Sequence, residues 1–394
     1  MSEEIFILGS ARTAIGTFGG SLSGVSPIEL ATAVSKAAIE RSEVESSQIG
    51  QVAFGHVINT EPKDMYLSRV AALNANISNR APAMNVNRLC GSGAQAIVSI
   101  FQSLKMGDAD FGLAGGSENM SRSPHIIPDA RWGRKMGDAT VSDMMIGALT
   151  CPFGTGHMGV TAENVATELQ ISRDEQDNFA SESQRKALVA MKSGRFREQI
   201  IPIEVKKRRE TVLFDQDEHP KETTLKSLSE LPAVFKKGGT VTAGNSSGIN
   251  DGAAALVLGT ATAVSKNNLN PVAKILGYAQ TGVRPEVMGI GPITAVKLLC
   301  ERLSLKISDF DVIESNEAFA AQACAVNKEL SFDLQKVNPN GGAIALGHPV
   351  GATGAILTIK AISELKRTNS SLGLVTMCIG GGQGIAIALQ IVSH

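Results

Sequence analysis

Aromatic residues are scarce in this chain: two tyrosines and one tryptophan stand against forty glycines in 394 residues. So little ring volume and so much glycine point to tight strand-to-helix turns with close backbone packing, a layered α/β protein. No apolar stretch approaches the ~20 residues a bilayer span needs. The opening "MSEEIFILGSART" is acidic and then strand-like, where a secretory signal would be basic and then apolar, so a cytoplasmic protein is expected. A charge surplus is missing too. With 37 basic against 38 acidic residues the formal charge is -1, and no global field recommends a nucleic acid or a membrane as partner. The five cysteines, at 90, 151, 300, 324 and 378, form no C-x-x-C pair and no metal-finger spacing, which argues against a disulfide framework and a structural zinc. What remains is a chain 43% hydrophobic, long enough for one large or two medium domains.

Short apolar runs alternate with amphipathic segments. Ile5 to Leu8 reads as a strand, and Pro27 to Glu40 carries Ile28, Leu30, Ala31, Val34, Ala37 and Ala38 at helical spacing. The alternation continues through Gln51 to Val57, Val70 to Ala75, Ala94 to Met106 and Phe111 to Gly115. From about Ser121 to Gly248 the chain turns polar and irregular, with "KKRRE" at Lys206 to Glu210, before "TAGNSSGINDGAAALVL" restores glycine and alanine. The expected organisation is an amino-terminal half (1–120), an inserted cap (121–248), a return of the first half (249–270) and a second half (271–394). The basic run reads as a solvated face, with a nucleotide phosphate as the alternative partner.

Two stretches echo each other. "NVNRLCGSGAQAI", from Asn85 to Ile97, places Cys90 before a glycine-rich turn, and "HPVGATGAI" does the same for His348. In each, Gly-Ala follows three and four positions on, at Gly93-Ala94 and Gly351-Ala352, and an apolar helix and a strand come next. Two copies of one βα plan predict a pseudo-twofold protein whose two helix N-termini meet near the join. Unsatisfied amides at a helix start favour a thiolate, so Cys90 is expected to have a lowered pKa. "GSGAQA" also fits the dinucleotide fingerprint, with Glu118 about 20 residues further on where a ribose-binding acid would stand. Against a nicotinamide enzyme, that fingerprint usually opens its domain, and the His348 copy would have no purpose.

Four stretches in order, "NRLCGSGAQAI", "NEAFAAQ", "NPNGGAIALGHPVGATG" and "CIGGGQGIA", resemble the thiolases, and among them the biosynthetic acetyl-CoA acetyltransferases. The resemblance spans essentially the whole chain. It implies an α/β fold with a five-layered αβαβα core of two similar halves, a loop domain over the active site and a homotetramer. It also implies substrates: acetyl-CoA, acetoacetyl-CoA and CoA, with no metal or redox cofactor. Joining two acetyl-CoA molecules needs an acyl carrier, a base for a carbon-bound proton and donors for oxyanions. By resemblance Cys90 is the carrier, His348 its base, Cys378 the base for the second acetyl-CoA, and Asn316 orients a water. The amides of Cys90 and Gly380 form one oxyanion hole, and His348 with Asn316 the other.

Each residue also has a plainer reading from its surroundings: Cys90 and Cys378 as buried core thiols, His348 as a polar residue at a helix start, Asn316 as an N-cap before "EAFAAQACAV". For coenzyme A the resemblance adds Ser247, Ala318 and Phe319 along the pantetheine arm, Leu231 and Phe235 toward the adenine, and His157 with Met158 near the thioester. Lys221 stands where an arginine is common. "CPFGTGHMG" departs from the family's "DAFxxYHMG", so an aromatic wall of the acyl pocket is expected to be missing near Thr155 and Gly156. That leaves open a 3-ketoacyl-CoA thiolase of broader chain length; a non-catalytic acyl-CoA carrier is the more remote reading. The β-ketoacyl synthases share the fold but pair their cysteine with two histidines, where this chain offers Asn316, His348 and Cys378.

Overall fold

A computed structural model describes residues 3–207 and 210–392; Arg208 and Arg209 of the basic run lie outside them. The principal elements, numbered here in chain order, begin with β1 (Ile5–Thr13), α1 (Pro27–Ser42), β2 (Ile49–Gly55), α2 (Leu67–Asn74), β3 (Ala83–Val86), α3 (Ser92–Met106) and β4 (Phe111–Asn119). Helices α4 (Met158–Glu168) and α5 (Arg173–Lys192) belong to the region before β5 (Asn250–Thr260). The second half comprises β6 (Ala273–Gly282), α6 (Gly291–Leu303), β7 (Val312–Ser315), α7 (Ala320–Glu329), α8 (Thr353–Thr368), β8 (Leu372–Ile379) and β9 (Gln383–Ile391).

The strands lie in the order β7-β8-β9-β6-β1-β5-β4-β2-β3. Pairing of Ile5 to Ile7 with Ala273 to Ile275 joins the two half-sheets. Read outward from that seam, both halves show the same sequence of antiparallel, antiparallel and parallel neighbours. The parallel β2–β3 pair has its counterpart in a single parallel bridge between Ile313 and Val337. This is the duplicated plan that the Cys90 and His348 echo announces.

Helices α3 and α8 fill the layer between the half-sheets, where Ile97, Ile100, Ile356 and Ile359 join Leu256, Val375 and Ile387 in one buried cluster. A second cluster packs α1 on the outer face of the first half, and a third packs α6 on that of the second. The result is the five-layered αβαβα core. Two glycines let the central helices touch: a Cβ on Gly354 would lie 2.2 Å from the Ala94 amide nitrogen, and one on Gly93 would lie 2.9 Å from that of Ala355. Helix α3 begins two residues earlier than the apolar pattern alone indicates.

The region between β4 and β5 is more ordered than its composition suggests. Ser172 and Glu175 cap α5 reciprocally, and its 20 residues are fully helical. A buried ion pair ties this region to β1: Arg12 Nη1 and Nη2 lie 2.7 and 2.9 Å from the two oxygens of Asp217. The bidentate geometry and the extra bond from the Ile15 amide to Asp217 meet the condition under which a buried pair holds its place.

Candidate active site

Cys90 stands immediately before Gly91, the N-cap of α3. The preceding Leu89 has φ +46°, a left-handed conformation that costs a non-glycine residue energy. Three hydrogen bonds hold it: Asn87 Oδ1 accepts from the Leu89 amide (3.0 Å), the Ser92 hydroxyl donates to the Leu89 carbonyl (2.6 Å) and accepts from the Arg88 amide (2.9 Å). The turn aims the thiol at the end of β8, where the amides of Gly380 and of Cys90 itself point at the sulfur. Those amides favour the thiolate, yet burial outweighs them and pushes the Cys90 pKa up. The expected depression by the helix end is therefore corrected. The resting residue is a thiol and needs a base.

His348 supplies a nitrogen in the right state. Its Nδ1 lies 2.7 Å from Thr353 Oγ1, whose own proton goes to the Pro349 carbonyl at 2.9 Å. Oγ1 must therefore accept from Nδ1–H, which leaves Nε2 unprotonated and able to accept. Burial lowers the imidazole pKa to about 4, so the ring is neutral at neutral pH. Its backbone is pinned by Asn250, whose Oδ1 accepts from the His348 amide at 3.0 Å. Gly347 has φ +103°, and a Cβ there would run into the same asparagine. His348 lies five residues before α8, not in its first turn, so capping is not its task.

Asn316 Nδ2 approaches His348 Nε2 at 3.4 Å, and its buried Oδ1 has no partner among the described residues. The N-cap reading of Asn316 fails, because α7 starts at Ala320 with Phe319 as its cap. Cys378, fully buried on β8, packs with Met158, Met288, Ala318 and Phe319. Burial first, and then the neighbouring Cys90, pushes its pKa strongly up. Gly380 follows the strand end, its Cβ direction blocked by Leu89 and Met158.

A narrow cavity opens onto Cys90, His348 and Gly380, and Met158, Ser247, Ala318 and Phe319 line it as well. His157 and Phe235 adjoin it. Their rings stack at 4.8 Å, and Phe235 meets Phe319 edge-on at 6.0 Å. Gly159 makes room for that stack, since a Cβ there would fall 2.2 Å from the Phe235 ring. Lys221 and Leu231 are not part of this cavity. They line a separate depression alongside it, and the successive residues Ser246 and Ser247 face one each. Neither Thr155 nor Gly156 borders the cavity; Ala148, Leu149 and Met288 line it, which the sequence reading missed.

Glu118 is also reassigned. It is fully buried, and its oxygens accept from the amides of Val57 (3.0 Å), Ile58 (3.1 Å) and Gly351 (2.9 Å). Fully buried, and tying the loop after β2 to the loop after His348, it is out of reach of a ribose, and the nicotinamide reading loses its acid. Thr353 and Asn250 were missed as supports of His348, because only folding brings them against the ring and its amide.

Residues 5–262 match the family model of the thiolase N-terminal domain, and residues 269–391 that of the thiolase C-terminal domain. The chain belongs to the thiolase family. This thiolase is thus an acyltransferase of a family acting on coenzyme A thioesters. It is 54% identical over 392 residues to a beta-ketothiolase, BktB, of Cupriavidus necator, covering 99% of this chain and 100% of the relative. It is 45% identical to an acetyl-CoA acetyltransferase of Escherichia coli, over 98% of this chain and 99% of that one. The crystal structure of the Bacillus anthracis acetyl-CoA acetyltransferase superposes with a TM-score of 0.97 at 41% identity, covering 99% of both chains. Human mitochondrial 3-ketoacyl-CoA thiolase in complex with CoA does so with 0.96 at 40% identity, over 99% and 98% of the two chains.

Proposed function

We propose that this thiolase is an acetyl-CoA C-acetyltransferase that joins two acetyl-CoA molecules to acetoacetyl-CoA and CoA, reversibly and by ping-pong. The reading rests above all on the Cys90 thiol, a neutral imidazole and an amide pair gathered around one cavity, with the Cys378 thiol buried behind its wall as a neighbour of Cys90. His348 Nε2 takes the proton of Cys90, and the thiolate attacks the thioester carbonyl. The tetrahedral oxyanion lies against the amides of Cys90 and Gly380. CoA leaves with a proton from Cys378, and an acetyl-Cys90 thioester remains. A second acetyl-CoA then gives an α-proton to the Cys378 thiolate, its enolate oxygen held by protonated His348 and by a water on Asn316. The carbanion attacks acetyl-Cys90, and acetoacetyl-CoA leaves as the Cys90 thiolate re-forms. The burial that makes Cys378 a weak acid makes its thiolate a strong base, as a carbon-bound proton demands.

The pantetheine arm is assigned to Ser247, Ala318 and Phe319, with His157, Met158 and Phe235 beside it and Lys221 and Leu231 toward the nucleotide. No metal or redox cofactor is required by these steps. We read the chain as cytoplasmic and homotetrameric, with 121–248 as the loop domain between 1–120 and 249–270 of the first half and 271–394 as the second. Trp132 and Met136, both 89% exposed in that loop domain, favour a covering subunit. No helix of the described residues is long and apolar enough to cross a membrane.

Brief incubation with acetyl-CoA should add one acetyl group per chain, mapped to Cys90 by intact mass and peptide analysis. Acetylation at another cysteine, or none in active enzyme, would refute the assignment.

A broader chain length is the second reading, favoured by a cavity lining that includes Ala148, Leu149, Met158 and Met288, with Phe319 its one phenylalanine. Flexible thioether side chains yield to a longer acyl group more readily than a ring does. Cleavage of 3-ketohexanoyl-CoA should then be measurable beside that of acetoacetyl-CoA. Ala148→Phe should lower it selectively by roughly 10- to 200-fold, the range that misfit of a methylene or two commands. Equal loss of both substrates would reject the steric account.

A further inference from the structure

Asn250, fully buried at the start of β5, has the orientation of its amide fixed by what faces it. Its Oδ1 accepts from the His348 amide (3.0 Å), and its Nδ2 donates to the Gly16 carbonyl (2.9 Å). Turned over, the amide would set donor against donor at His348 and acceptor against acceptor at Gly16. The second Nδ2 proton then has one partner among the described residues, Nδ1 of His219 at 3.3 Å. We propose that His219 is a positioning residue for acyl transfer: its Nδ1, as an acceptor, locks the Asn250 amide that holds the backbone of His348. The role rests on the proposed function, in which His348 is the base for Cys90.

The segment that delivers His219 is tied to the same turn as the amide it props. Asp217, held by Arg12, accepts from the Ile15 amide at 2.9 Å. The Glu218 amide donates to the Ile15 carbonyl (2.9 Å), and the Glu218 carboxylate accepts from the Thr17 amide (2.9 Å). These anchors flank Gly16, so the imidazole and the Gly16 carbonyl grip the Asn250 amide from one rigid piece of chain. Packing leaves the group little room to turn. A Cβ on Gly248 would lie 2.3 Å from His219 Cε1 and 2.7 Å from Asn250 Oδ1, and one on Gly347 would lie 2.3 Å from Asn250 Cγ.

The grip requires a neutral ring with its proton on Nε2, since a proton on Nδ1 would face the Asn250 N–H. Burial first, and then the Lys221 ammonium, lower the His219 pKa and favour that state. The same ring borders the depression that carries Lys221 and Leu231. One side chain thus joins the wall assigned to the coenzyme nucleotide to the backbone of the base.

The test is single-turnover acetylation of Cys90 at saturating acetyl-CoA, repeated with S-acetylpantetheine, which lacks the nucleotide. His219→Phe keeps a ring and removes the acceptor. Its rate should fall by up to about 100-fold, the scale of a displacement of about 1 Å, and by the same factor with both acyl donors. His219→Asn, whose Oδ1 can stand where Nδ1 stood, should recover most of that loss, although it also gives up the ring's face toward the nucleotide. If His219→Phe does not fold, His219→Leu removes the acceptor with a smaller side chain. A wild-type rate in the variants without an acceptor, no recovery in His219→Asn, or a loss seen only with acetyl-CoA would each overturn the role. Acetylation of the unmodified chain at a cysteine other than Cys90 is the separate result that would overturn the proposed function, and this role with it.

Discussion

Cys378→Ala is expected to separate the two half-reactions of this enzyme. Cys90 keeps His348 as its base, with Nε2 unprotonated because Nδ1–H is committed to Thr353. The variant should therefore still form acetyl-enzyme and exchange labelled CoA with acetyl-CoA, more slowly because the departing thiolate has lost its proton donor. Condensation should fall by ~100- to 10,000-fold, the usual worth of a general base. Exchange of solvent deuterium into the methyl group of bound acetyl-CoA should fall with it. Cys90→Ala, by contrast, should never become acetylated. Deuterium exchange at the native rate in Cys378→Ala would remove Cys378 from the role of carbon base and leave His348 to serve both halves.

Gly354→Ala should reverse the usual sign of a helical glycine substitution. In an exposed helix interior, alanine gains about 1 kcal/mol over glycine. Here the new methyl would stand 2.2 Å from the Ala94 amide nitrogen and 2.7 Å from the Ala94 Cβ, against main chain that cannot swing aside. Overpacking of this kind costs about 1–3 kcal/mol, or several degrees of melting temperature for a chain of this size. The larger effect is on activity. Pushing α8 off α3 moves the turn that carries His348 away from the turn that carries Cys90, and a displacement of about 1 Å costs roughly 100-fold. Gly147→Ala is the control, because nothing lies within 4 Å of its Cβ direction. A melting temperature and kcat/KM unchanged in Gly354→Ala would show that the central helices have slack.

Much of the candidate site was legible because its residues sit in stretches with two kinds of local signal. Cys90 and His348 each precede a Gly-Ala step and an apolar helix, and Cys378 ends an apolar strand before three glycines. The twofold plan followed from the same echo, since a repeated βα plan predicts two similar halves, while the five-layered stacking came from the family resemblance. The sense of the Cys90 pKa did not follow. A helix start pulls it down, burial pushes it up, and only the packed structure shows which is larger. Gly156 was read as a gap in the pocket wall; it pairs with Cys151 in a short hairpin outside the cavity, and Ala148, Leu149 and Met288 line the cavity instead.

The amino-acid sequence by itself determined the class of chain, the duplicated architecture and the residue types available for thioester chemistry, because turn glycines, helix periodicity and reactive side chains are local properties. Tertiary structure decided everything that depends on distant partners. Asn250 pins the His348 backbone from 98 residues away, and Glu118 accepts from the amides of Val57, Ile58 and Gly351 where a ribose cannot reach it. Protonation state and acceptor capacity belong to a group in its surroundings, and those surroundings exist only once the two halves have closed on one another.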